Sequence, residues 1–172
     1  LWPVLYNTPE GVREYGKMLR EMHRDIKGED FNGKKYHALN PELYTWVHIT
    51  TYYGMIALAD FMGDKLTEAQ KEQLYQEWLQ FGRQMGIRDK DMPKDIPSYW
   101  AYLDDTINHR LQENPATEFV GSKRYYTHQI KNPKSNLSDR SWRIVQYIQG
   151  SITWILKKGF FPEAYRKKFG IK

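Results

Sequence analysis

Apolar residues recur at three- and four-residue steps through most of the chain, which predicts amphipathic helices. Val12, Tyr15, Leu19, Met22 and Ile26 form the first stripe. It follows Thr8-Pro9-Glu10, an N-cap, a proline at the first helical position and a first-turn acid. Gly28 is expected to end it. Asn40-Pro41-Glu42 repeats the start signal, and Gly63-Asp64 is the stop. Between them Trp46, Ile49, Tyr53, Ile56 and Leu58 lie almost all round the helix, predicting the most buried element. Gly54 within it predicts close packing of another backbone or a ligand. Thr67-Glu68-Ala69-Gln70 reads as a capping box. It opens a helix whose face is Leu74, Tyr75, Trp78, Phe81 and Met85.

The second half is patterned in the same way. Pro97-Ser98 leads into a helix through Tyr99, Leu103, Ile107 and Leu111. Asn114-Pro115 marks a short helix through Tyr126. Ser138 caps a long one to about Lys157 with Trp142, Val145, Ile148, Ile152 and Ile155 on its apolar stripe. Gly159 is the expected stop, and Phe161-Pro162-Glu163 starts a last short helix to Phe169. No segment shows convincing two-residue alternation. The expected fold is all-α, a single-domain bundle of about five or six helices over residues 1–172.

Composition narrows the chemistry. The absence of cysteine excludes disulfides, thiolate metal sites and cysteine nucleophiles. No run approaches the roughly 18–20 apolar residues that span a bilayer. Leu1-Trp2-Pro3 offers neither the basic region nor the cleavage site of a secretory leader, so a cytoplasmic protein is expected. The chain opens without Met on Leu1-Trp2-Pro3-Val4-Leu5-Tyr6, which reads as the exit of an earlier segment. The formal charge of +5 is uneven: Lys123 to Lys172 carries twelve Lys/Arg against two Asp/Glu. That third suits a weak contact with an anionic surface or, more plainly, a solvated basic face.

Met22 to Thr51 holds three of the five histidines, His23, His37 and His48. His23 lies at the edge of the first stripe. Gly16, two turns earlier on the same side, would let a flat group approach the backbone. His48 is predicted inside the buried second helix as a core histidine hydrogen-bonded to a neighbouring helix, with a pocket role as the other reading. Trp46 is read first as core. Bundle-type di-iron sites need Glu-x-x-His pairs, and none is spaced for it here. No H-E-x-x-H, G-x-S-x-G or P-loop motif occurs. No helix gathers its basic residues on one face, which disfavours nucleic acid as a partner.

The order His23-x4-Gly28, then Tyr36-x-Ala38-x-Asn40-Pro41-Glu42-Leu43-x2-Trp46-Val47-His48, resembles a block of the family of the latex-clearing protein (rubber oxygenase) and the fungal ER-bound oxygenase of mycophenolic acid biosynthesis. Glu77, Gly86-Ile87 and the ending Gly159-Phe160-Phe161-Pro162-x3-Arg166-x3-Gly170 follow in the family's order. Asn40 stands where that family usually has Asp, and both cap helices. The resemblance implies an all-α haem b protein, an oxygenase or oxidoreductase acting on an apolar small-molecule substrate. His23 would be the proximal iron ligand, with Trp46 and His48 beside the cofactor. It also implies an upstream helix, supplied by a companion segment or subunit, that carries an Arg…Thr pair and the distal lysine. The alternative is a non-catalytic helical module that binds an apolar ligand or an anionic surface.

Overall fold

The structure is a computed structural model and describes residues 7–115, 118, 122–128, 132 and 136–171. Leu1–Tyr6 and much of the stretch expected to form a helix after Asn114 lie outside them. The described residues hold seven α-helices and one small antiparallel hairpin. The mostly helical class inferred from periodicity is the class observed. The chain divides into two compact units, Leu1–Leu103 and Asp104–Lys172.

In the first unit α1 runs Pro9–Arg24, α2 Pro41–Phe61, α3 Glu68–Gln84 and α4 from Ile96 to Asp105. Each of the first three starts at the residue its sequence signal named. Thr8 Oγ1 accepts from the Gly11 N–H, Asn40 Oδ1 from Glu42 N–H, and Thr67 and Gln70 close a reciprocal capping box. These side chains satisfy amide groups that a helix start leaves without partners.

The end of α1 departs from expectation. The helix stops at Arg24, before Gly28, because the next residues pair instead. Strand β1, Lys27–Glu29, lies antiparallel to β2, Lys35–His37. These six positions are mostly polar and exposed, so they carry no alternation to read. Gly28 is opposite Tyr36, and a Cβ there would lie 3.0 Å from the tyrosine hydroxyl. The glycine makes room for a ring across the ladder. Gly33 turns the hairpin at φ 75°, where only glycine is unstrained.

The core of this unit is aromatic. Tyr52 of α2, Tyr75 and Trp78 of α3 and Tyr99 of α4 meet with ring centroids 4.8–5.9 Å apart. All four are essentially buried. Each polar tip finds a carbonyl: Tyr52 donates to Lys71, Tyr75 to Pro93, Tyr99 to Ile49 and Trp78 to His48. Burial pushes the Tyr52 phenol up to about 12, and those of Tyr75 and Tyr99 upward as well. These rings fill the space between helices.

Two further expectations are corrected here. Helix α2 buries more residues than any other described helix, Thr45, His48, Ile49, Tyr52 and Ile56, as expected, but they share one face. Leu43, Val47, Leu58 and Phe61 are exposed, and a Cβ on Gly54 would meet open space. Gly16 does allow close approach, but of backbone: a Cβ there would lie 2.7 Å from the Gln84 carbonyl oxygen at the end of α3.

In the second unit a π-helical turn, Thr106–Arg110, precedes α5, Lys123–His128, α6, Asp139–Phe160, and α7, Glu163–Lys168. Lys168 Nζ donates to the Ile107 and Asn108 carbonyls at the turn's end. Helix α6 starts at the expected Ser138 cap but runs through Gly159. It is also turned against its hydropathy. Gln146 and Gly150 are its buried residues, whereas Ile144, Ile148, Ile152 and Ile155 are 53–66% exposed. Gly150 sets this orientation, because its Cα rests on the Tyr126 carbonyl of α5 and leaves no room for a Cβ.

Candidate functional site

The segment from His23 to His48 forms a corner between α1 and α2. His23 lies in the last turn of α1 and is half-buried. Its Nδ1 is 2.7 Å from the Leu19 carbonyl oxygen. A carbonyl only accepts, so Nδ1 carries a proton, and in the neutral form of the ring the lone pair is on Nε2. The ring meets Tyr44 of α2 edge-on, with centroids 6.3 Å apart.

The hairpin holds this corner. His37 Nδ1 accepts from the Leu39 N–H at 3.1 Å, which leaves the proton on Nε2 to donate to Arg24 O at 2.7 Å. His37 therefore caps the carbonyl end of α1 one residue beyond His23, a role no periodicity announced.

His48 is 6% exposed and fixed on both sides. Its ring stacks on Trp78 at 4.2 Å and 7°, and its Nε2 donates to the Trp78 carbonyl at 3.1 Å. The Trp78 indole returns a bond to the His48 carbonyl at 3.0 Å. Desolvation in this setting lowers the imidazole pKa to about 4, against the smaller opposing effect of the carbonyl. The ring is neutral at physiological pH and joins α2 to α3, as the core reading of His48 expects.

Gly82 makes that arrangement possible. A Cβ on it would lie 2.6 Å from His48 Nε2 and 2.5 Å from Met92 Sδ. A glycine inside an amphipathic helix is a readable sign of close approach. Trp46 is half-buried. It stands two residues from His48, about 200° away around the helix axis, so the two rings diverge.

At Arg20, one turn before His23 on α1, a cavity of about 140 Å³ is lined by Arg20, Tyr44, Thr45, Ile87, Arg88 and Asp91 among others. Arg20 Nη1 donates to the Met85 carbonyl at 2.8 Å, and the Tyr44 hydroxyl reaches the same oxygen at 3.4 Å. Burial raises the Tyr44 phenol, and the nearby Arg20 charge partly offsets this. A larger cavity of about 420 Å³ lies within the second unit, where Tyr125, Tyr126, Trp142, Gln146, Gly150 and Thr153 contribute to its wall.

No three His, Cys, Asp or Glu side chains gather into a metal-binding group among the described residues. No helix among them is long and apolar enough to cross a membrane. The site therefore offers one presented imidazole, an arginine-lined cavity one turn away and a neutral buried histidine that fixes the helix pair. A family model described as ER-bound oxygenase mpaB/B'/Rubber oxygenase, catalytic domain, matches residues 2–172. No curated protein and no solved structure matches the chain.

Proposed function

Given that the chain belongs to the ER-bound oxygenase mpaB/B'/rubber oxygenase catalytic-domain family, we propose that it is a haem b-dependent oxygenase acting on an apolar organic substrate, with His23 as the proximal ligand. The observation that carries this reading is the hydrogen bond from His23 Nδ1 to the Leu19 carbonyl. It fixes the tautomer and orientation of the ring and leaves Nε2 as the donor atom an axial iron site requires. The residues present fit the group on that account: an axial haem ligand needs a single imidazole rather than a cluster.

When bound, haem iron would supply the oxidising chemistry toward dioxygen or peroxide. The chain's own contribution is orientation. Leu19 holds the His23 ring, Tyr44 limits its tilt, and His37 keeps the end of α1 from fraying beneath it. His48 acts through packing, since its Nε2 is committed to Trp78. It sets the position of α2 and hence of Tyr44. Trp46, on a different face of α2, is proposed as an apolar wall.

Hemin titration followed by visible absorbance tests the reading. The wild-type protein should develop a Soret band with one equivalent of hemin, and His23→Ala should lose it while keeping its far-UV circular dichroism. A folded His23→Ala that binds hemin with an unchanged spectrum, or a wild-type protein that takes up none, would sink it.

A further inference from the structure

Five arginines lie among the described residues of the first unit, and four are paired. Arg13 meets Glu10, Arg24 meets Asp25, Arg83 meets Asp89 and Arg88 meets Asp91. All four are exposed. Arg20 is the half-buried one, and it has no carboxylate partner among the described residues. That is the reverse of what desolvation favours, because a guanidinium withdrawn from water gains most from a counter-charge.

The surroundings of Arg20 are shaped around its side chain. One of its five N–H groups caps the Met85 carbonyl. Gly86 follows at φ 84°, and a Cβ there would collide with the guanidinium. The remaining donors border the cavity of about 140 Å³ that Tyr44 and Thr45 line with hydroxyls. The Asp91 carboxylate on the same wall is taken by Arg88 Nε at 2.6 Å and Nη2 at 3.2 Å, so it does not neutralise Arg20. Helix capping accounts for one donor of Arg20. It does not account for a half-buried charge without a counter-ion beside an open cavity.

We propose that this cavity binds a carboxylate, held by the Arg20 guanidinium. Bidentate pairing is what the planar guanidinium offers a carboxylate. The cavity volume suits one carboxylate with a short chain. Two sources share this chemistry: a propionate of haem on His23, one turn along α1, or a free small carboxylic acid. The first source rests on the haem reading above. The site itself does not.

Two arms test it. In the first, acetate replaces chloride at constant ionic strength, and thermal unfolding is followed by circular dichroism. Wild-type Tm should rise with acetate, and the rise should vanish in Arg20→Gln. In the second, hemin and hemin dimethyl ester are titrated in parallel. A propionate in the cavity predicts at least about tenfold tighter binding of hemin, falling to within twofold in Arg20→Gln. Acetate stabilisation with equal binding of the two porphyrins assigns the cavity to a free acid. If the wild-type protein neither responds to acetate nor distinguishes hemin from its ester, the proposal is overturned. Both wild-type measurements stand even if Arg20→Gln fails to fold. If no hemin binds at all, the haem reading falls and the acetate arm decides the site alone.

Discussion

His48 should make the first unit lose stability on mild acidification. In the folded chain its pKa is about 4, against 6.5 for a free imidazole. Between those values the unfolded chain binds a proton that the folded chain refuses, so stability rises with pH across that window. Above pH 6.5 the contribution is fully present, and it is lost as pH falls toward 4. At about 1.4 kcal/mol per pH unit the whole effect is about 3 kcal/mol, of which about 2 kcal/mol falls between pH 7 and pH 5. The carboxylates held low by partners, Asp91 by Arg88 and Asp95 by Ser98, lose their contribution only at more acid pH. Urea unfolding at pH 7 and pH 5 provides the assay. Tryptophan fluorescence in a Trp142→Phe, Trp154→Phe background would confine the signal to the first unit. The comparison is with His48→Gln, whose amide can still donate to Trp78 but does not titrate. Wild type should lose about 2 kcal/mol more than the variant between the two pH values. Equal losses would refute the assignment of a neutral, desolvated His48.

Two substitutions probe the same core. Gly82→Ala drives a methyl into His48 and Met92 and should destabilise the first unit by about 1–3 kcal/mol, read as a lower urea midpoint with an unchanged slope. Tyr99→Phe removes a fully buried hydroxyl that donates to the Ile49 carbonyl at 2.7 Å, and should cost about 1–2 kcal/mol by the same measurement without altering hemin uptake.

Helix starts were legible because each is a local chemical event. Thr8, Asn40, Thr67 and Ser138 all cap as their neighbours predict. Helix ends were less legible, since they depend on what the chain does next. Gly28 packs under Tyr36 instead of stopping α1, and Gly159 sits inside α6. Periodicity located the stripes but did not say which would be covered. On α3 the predicted face is inside, with Tyr75, Trp78 and the C-cap Met85 buried, whereas Met22 of α1 and Ile26 beyond its end stay exposed. Of the site, the segment and its histidines could be singled out in the sequence. The tautomer of His23 and the isolation of Arg20 could not, because both depend on where a carbonyl or a carboxylate ends up in space.

The inversion of α6 has a consequence for how that helix finds its axial position. Within the second unit, α6 meets α5 through Gly150, while its isoleucines touch water. A hydrophobic seam tolerates sliding, because one aliphatic side chain substitutes for another a turn away. A single notch against a carbonyl does not. A shift of one turn would bring Gln146 or Trp154 to the place where the Tyr126 carbonyl excludes a Cβ. The register of the longest helix among the described residues is thus set by the absence of a side chain.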